Sequence, residues 1–217
     1  MRLSALIVAF ALAACASLSA PAEAQQPAEA QAAPSYSIAV DLPAGEYRLD
    51  PRHASVLFRI QHQGLAWFTA RFDTKAATLT LDPADPARSQ LSASVDANSV
   101  NTGVLNAQGE RAFDQAIGRA LGAQTTPTIT FVSTSIERTG EHTGRITGDL
   151  TLNGQTHPAT LDATFVGDTN DLLRGGARVL GFSAQGTIDR TAWGINDWRA
   201  FTGKDVQLVI EAEFVRS

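Results

Sequence analysis

The chain has 217 residues, a formal net charge of -5 and 44% hydrophobic residues. This length suits one domain with a tail, and a mildly acidic chain without a Lys/Arg cluster is a poor match for nucleic acid or anionic lipid headgroups. Its single cysteine, Cys15, precedes the expected domain, which excludes disulfides, cysteine catalysis and cysteine-ligated metal within that domain.

The first residues are typical of an export signal. A short positive start is followed by the apolar run 3–14, which is too short to span a bilayer. Two processing sites compete. The A-x-A sequence at 22–24 predicts a signal of residues 1–24 and a soluble protein starting near Gln25. The sequence LAAC at 12–15 resembles a lipoprotein box, which predicts a signal of residues 1–14 and lipidation of Cys15. Either route predicts export to the bacterial periplasm.

Residues 25–45 are rich in Ala, Pro, Gln and Glu and predict a flexible linker. The folded domain is expected over 46–217. From Glu46 onward, short runs place apolar residues at every second position, as in 56–60, 146–152 and 206–214. This period of two predicts strands with one apolar face. Predicted strands cover 46–49, 55–62, 66–75, 77–81, 90–96, 128–138, 144–152, 155–167, 178–189 and 205–216.

Asn153-Gly154 lies between two alternating runs and is the strongest hairpin signal of the chain. Residues 106–121 are the exception to the strand pattern, because apolar side chains recur there at helical spacing. We therefore expect one amphipathic helix in a long connection. A sheet with one apolar face and little helix to cover it is expected to close on itself, so the predicted fold is all-β, a closed antiparallel barrel.

No reaction centre stands out in the sequence. His53, His62, His142 and His157 lack compact metal-ligand spacing, no serine lies in a GxSxG elbow, and no acid/base pair of carboxylates can be identified. Aromatic residues are instead spread over many strands, mostly on the apolar side of the alternation. In a closed sheet that side faces a lumen, which is either packed solid or hollow.

Six segments resemble, in the same order, motifs of the YceI-like family of periplasmic polyisoprenoid-binding proteins. These segments are YRLDPRHASVLFRIQH at 47–62, SVNT at 99–102, PTITFVS at 127–133, GDLTLNGQTHP at 148–158, GF at 181–182 and RTAWG at 190–194. Two departures are Ala70-Arg71, where the family usually has a glycine, and 106–110, where it usually has an Arg-Asp pair.

The resemblance implies that the barrel is lipocalin-like and extended. It also implies non-covalent binding of a polyisoprenoid, isoprenoid quinone or other amphiphilic lipid in the lumen, without catalysis, metal or other cofactor. A membrane tether through the N-terminus and a homodimer are both left open. His62, Asn101 or Arg190 near the mouth are candidates for hydrogen bonding a headgroup. Alternation and resemblance together predict these ligand-binding residues: Phe58, Ile60, His62, Trp67, Phe72, Phe131, Leu150, Leu152, Phe165, Phe182, Trp193 and Phe214.

Two other functions are also consistent with the sequence. The chain could be an envelope structural or interaction protein with a solidly packed barrel, tethered through Cys15. It could also be an enzyme acting on a lipid, which would need a polar dyad inside the barrel.

Overall fold

The computed structural model of the protein describes residues 42–217. The expected export signal, Cys15 and most of the expected linker lie outside those residues. The elements are β1 (Gly45–His62), β2 (Ala66–Phe72), β3 (Lys75–Leu81), β4 (Gln90–Asp96), β5 (Val100–Asn101), α1 (Ala112–Ala120), β6 (Thr128–Arg138), β7 (Thr143–Leu152), β8 (Gln155–Asp171), β9 (Ala177–Asp189) and β10 (Thr202–Arg216).

Eight of these strands form a closed antiparallel ring. Their order around the ring is β1, β3, β4, β6, β7, β8, β9 and β10, and β10 pairs back onto β1. The two remaining strands branch from the second half of β1, where β2 pairs with β1 and β5 pairs with β2. The predicted all-β, lipocalin-like extended barrel with one helix in a long connection is confirmed.

Strand β1 is the strand on which closure depends. It pairs with β10 from Tyr47, opposite Arg216, to His62, opposite Thr202. Its other edge pairs first with β3 and then with β2. The sequence predicts two separate strands here, but the structure has one, since the register shift between Leu49 and Ala54 accommodates Pro51 as a bulge.

Helix α1 is shorter than the predicted helix over 106–121. The Asn106 side chain accepts hydrogen bonds from the backbone N–H groups of Gln108 and Glu110, at 3.0 and 2.8 Å, and so holds the first of these residues in a turn. The helix begins after that turn and is fixed by Asp114, whose carboxylate accepts from the backbone N–H and hydroxyl of Thr102. It therefore packs beside β5, between β5 and β6 in the chain.

The apolar core has two parts. One surrounds the lumen and includes Phe72, Phe131, Leu150 and Leu161. The other closes the barrel end at which the described chain begins, and consists of Tyr47, Leu79, Leu180 and Phe214. Tyr47 is fully buried and donates its hydroxyl to the carbonyl of Pro43 at 2.7 Å. This end of the barrel is thus closed by buried side chains, which leaves the other end to provide any opening.

Within residues 42–217, no helix is both long enough and apolar enough to cross a membrane.

Candidate ligand-binding cavity

The barrel encloses a cavity of about 810 Å³ whose wall is almost entirely apolar. One side of this wall is formed by β1 and β10, and the register between these strands determines which residues it presents. Phe58 faces Leu208, and on either side Val56 pairs with Ile210 and Ile60 with Val206. All six side chains line the cavity. Period-two alternation on two paired strands therefore makes one continuous apolar surface.

The cavity opens at the end where β1 turns into β2. Trp67, Phe113, Trp198 and Phe201 line the cavity and are also exposed on the outer surface. Phe113 packs edge-on against both Trp198 and Phe68, with ring centroids 6.3 and 5.6 Å apart. The mouth is thus formed by the start of α1, strand β2 and the loop before β10.

Ten of the twelve predicted ligand-binding residues line this cavity. Trp67 and His62 lie toward its mouth, and Phe182 and Phe214 toward its closed end. The ten are Phe58, Ile60, His62, Trp67, Phe72, Phe131, Leu150, Leu152, Phe182 and Phe214.

Phe165 and Trp193 do not line it. Phe165 has the parity of the lumen-lining residues Leu161 and Ala163, but it lies nearer the closed end, where its ring packs 5.4 Å from that of Phe182. Trp193 is buried behind the wall, where its Nε1 donates to the Leu150 carbonyl at 3.0 Å and its ring meets His157 edge-on at 5.2 Å. Its part in the site is to support the wall.

The three headgroup candidates differ in their geometry. His62 lies on the cavity wall and is exposed. Asn101 is not among the lining residues, and its amide donates to Asp73 at 2.8 Å. Arg190 reaches the wall but is 5% exposed, and burial lowers its pKa against the opposing effect of Asp197.

The guanidinium of Arg190 is used within the protein. It donates to the carbonyls of Ile195, Asp197 and Gly203 at 2.8 to 2.9 Å, and to the Thr202 hydroxyl at 3.0 Å. Four hydrogen bonds from one buried cation fix the loop that carries Trp198 and Phe201. Arg190 is thus a structural anchor of the mouth.

Several wall residues are missing from the sequence prediction. Val206, Leu208 and Ile210 could have been found, because they show the same alternation as the predicted residues. Phe113, Trp198 and Phe201 have no such signal, since they lie on the helix or in a loop, where a period of two does not apply.

One ionisable cluster lies away from the cavity wall. His53 Nδ1 is 2.6 Å from an oxygen of the buried Asp50 and 3.7 Å from Glu213. Three such groups could hold a metal ion, but Arg174 pairs with the same Asp50 oxygen. Burial raises the pKa of Asp50, yet the hydrogen bonds from Arg174, His53 and the Arg52 backbone outweigh it and hold that pKa far below its usual value. The arrangement fits an ion-pair network.

Comparison with known proteins identifies the family to which this barrel belongs. The model of the YceI-like domain matches residues 47–214. The chain belongs to the YceI-like family. It is 34% identical to the UPF0312 protein of Serratia proteamaculans over 176 residues, which cover 80% of this chain and 88% of that relative. It is 35% identical to the protein YceI of Salmonella arizonae over 175 residues, with the same coverage.

Solved structures share the barrel. The YceI protein of Campylobacter jejuni has a TM-score of 0.60 at 25% identity, covering 73% of this chain and 90% of that one. BcnA of Burkholderia cenocepacia has a TM-score of 0.65 at 20% identity, covering 76% and 98%. A polyisoprenoid binding domain from Saccharophagus degradans has a TM-score of 0.56 at 14% identity, covering 81% and 100%, and this likeness concerns the fold.

Proposed function

We propose that the protein binds a long-chain amphiphile, such as a polyisoprenoid or isoprenoid quinone, without forming a covalent bond. The observation that carries this proposal is the apolar cavity of about 810 Å³. Burial of apolar surface contributes roughly 25 cal/mol per Å², so a hydrocarbon tail can be held by this wall alone. The ligand class named for the Saccharophagus degradans domain agrees with this, although that likeness is one of fold.

The mouth supplies the polar end of such a site. A ligand tail that fills the lumen leaves its headgroup among the exposed residues at the opening, near His62 and the Trp198 loop. Of the three headgroup candidates, we retain His62, because Asn101 lies off the wall and Arg190 is already bonded within the loop. A small number of polar groups at the edge of an apolar pocket is the common pattern of such sites.

The proposed role is binding, for transport or storage, rather than catalysis. Among the described residues, the ionisable side chains of the wall are His62, Lys75, Arg190, Asp197 and Glu211. Their side chains form no hydrogen bonds with one another, whereas an acid/base or nucleophile pair needs such contact. The residues on this wall therefore favour a carrier over an enzyme. We propose no cofactor, and the bound isoprenoid lipid or quinone is the ligand.

We further propose that this carrier acts in the bacterial periplasm, either free or anchored through Cys15. The support is the apolar run at 3–14 and the two competing processing sequences that follow it. The alternative role as an envelope structural protein predicts a barrel packed solid, and the cavity favours the carrier over it.

Native mass spectrometry of the protein recovered from its own envelope tests the proposal, followed by solvent extraction and lipid analysis. A stoichiometric isoprenoid or quinone would support it and name the ligand. A mass without bound lipid would favour the structural role. The intact mass also distinguishes an N-terminus at Gln25 from a lipidated Cys15, and monomer from homodimer.

A further inference from the structure

The mouth of the cavity is surrounded by an exposed apolar rim, defined here as Leu65, Trp67, Phe113, Trp198 and Phe201. All five are exposed, and Leu65, at the tip of the β1–β2 turn, is 82% exposed. The rim is one surface, because the Gln63 N–H donates to the Phe201 carbonyl at 2.8 Å and Phe113 contacts Trp198. Exposed apolar side chains grouped in this way mark an interaction surface.

Trp198 is held outward in a backbone conformation that is unfavourable for its residue type. Its φ is +52°, in the left-handed region, which costs a non-glycine residue free energy. The Trp198 carbonyl accepts from the N–H groups of Phe201 and Thr202, and Arg190 fixes the residues on either side. The hydrogen bonds of this loop therefore offset the conformational cost of the positive φ and keep the Trp198 indole exposed at the mouth.

Two guanidinium groups accompany the rim aromatics. Arg59 lies over the ring of Trp67, 5.3 Å from its centroid, and the exposed Arg199 follows Trp198 directly. Aromatic rings beside cations are the pattern of membrane interfaces, where indoles lie at headgroup depth and guanidinium groups meet phosphates. The same loop carries Asp197, and the whole chain is negative, so attachment through this rim depends mainly on its apolar side chains.

We propose that this rim docks on the surface of a phospholipid bilayer, with the mouth of the cavity against the membrane. This inference rests on the proposed function, because a rim continuous with a lipid-filled lumen lets an apolar tail pass between bilayer and cavity without crossing water. Trp67, Phe113, Trp198 and Phe201 belong to both surfaces, which supplies that continuity.

The chain offers a matched control at the opposite end of the barrel. Leu173, in the turn between β8 and β9, is 98% exposed. That turn lies at the end where β9 and β10 pair Val179 with Val215, far from the mouth. Leu65→Glu and Leu173→Glu thus make the same chemical change on exposed turns at the two ends of one barrel.

The test measures binding to phosphatidylcholine vesicles by flotation, with Cys15→Ala in every protein so that no acyl chain contributes. We expect the parent protein to bind, Leu65→Glu to reduce the bound fraction about tenfold through lost apolar burial, and Leu173→Glu to leave it unchanged. Absent binding by the parent, or equal effects of the two substitutions, would overturn the proposal. So would a rim-dependent dimer in light scattering with no vesicle binding, since a second copy would then be the occupant.

Lipid content separates this proposal from the proposed function. Leu65 does not line the cavity, so when both proteins are loaded with a polyisoprenoid from detergent micelles, without a bilayer, native mass spectrometry should show the same bound lipid in Leu65→Glu and in the parent protein. Bound lipid without Leu65-dependent vesicle binding would refute the docking alone. Leu65-dependent vesicle binding by a protein that never carries lipid would refute the carrier function alone.

Discussion

Trp193 donates a hydrogen bond from its indole Nε1 to the backbone carbonyl of Leu150 at 3.0 Å, across 43 residues of chain. Trp193 is 3% exposed and stands outside the cavity, whereas Leu150 stands on its wall. The bond thus ties the turn after β9 to β7 from behind the lumen. It shows how a residue that a ligand does not reach can still determine the shape of the site.

Trp193→Phe should therefore lower the free energy of unfolding by about 1 kcal/mol, because it keeps an aromatic ring but removes the buried donor. Urea denaturation measures this. Trp67→Phe is the control, since the Trp67 indole makes no side-chain hydrogen bond within residues 42–217, and it should change stability by about 0.5 kcal/mol or less. Equal effects of the two changes would contradict the importance of the Leu150 bond.

Filling the lumen should displace the ligand without unfolding the barrel. Leu208→Trp adds volume inside the cavity, opposite Phe58, whereas Val209→Trp adds the same ring to the next residue of β10, which does not line the cavity. We expect Leu208→Trp to lower the lipid recovered per protein about tenfold or more, since the tail loses apolar wall to bury against. Val209→Trp should retain parental lipid, and loss in both variants would argue against the lumen as the site.

Widening or narrowing at β6 and β7 offers a second test of the same wall. Phe131 and Leu150 are direct partners across these strands. Phe131→Ala should cost about 3–5 kcal/mol of stability and change which lengths of lipid tail the protein retains. Leu150→Trp should exclude the lipid from the lumen. Lipid profiling of both folded variants measures this, and an unchanged profile in both would count against the carrier function.

Asp50 should make the barrel sensitive to acid. Its folded-state pKa is lowered, so its ion pair with Arg174 and its hydrogen bond with His53 stabilise the fold above its unfolded pKa near 3.8, and this stabilisation is lost as the pH falls below that value. Asp50→Asn should cost about 1–3 kcal/mol near pH 7, and the difference from the parent should shrink toward pH 2. Urea denaturation across this range tests it. The control Asp162→Asn, in an exposed pair with Arg145, should have little effect, and a constant Asp50→Asn difference would contradict the assignment.

Gly148 marks a place where β7 has no room for a side chain. A Cβ there would lie 2.5 Å from the Val132 carbonyl oxygen and 2.6 Å from the Phe131 ring. Gly148→Ala should destabilise the protein by about 1–3 kcal/mol and push Phe131 toward the lumen. Gly181→Ala, whose Cβ would meet neighbours at 3.6 Å or more, should be tolerated. Thermal unfolding compares the two, and equal losses would contradict a steric role specific to Gly148.

Alternation in the sequence predicted the sides of the strands well but not depth along the barrel. Phe58, Phe131 and Leu150 line the cavity because a period of two separates inner from outer face on every strand. Phe165 shows the limit, since it has the correct parity but lies near the packed end. How far a lumen extends depends on packing between strands distant in sequence, which no local pattern contains.

The mouth was the part least accessible to prediction. Trp198 and Phe201 lie in a loop positioned by a buried arginine 8 and 11 residues earlier, at Arg190, and the positive φ of Trp198 leaves no trace in composition. The start of α1 was predicted too early because the Asn106 side chain competes with the helix for backbone N–H groups. Loops that shape a site depend on such individual contacts more than on periodicity.

Closure of the ring joins β1 to β10, with Tyr47 beside Arg216. Half of the cavity wall formed by these two strands therefore comes from β10, and the lumen has no complete wall until β10 has been made. Pairings at such large sequence separation form slowly, because the loop entropy is lost before the contacts are gained. During synthesis the apolar faces of the earlier strands stay exposed to solvent, so this protein is expected to depend on protection from aggregation until β10 has been made.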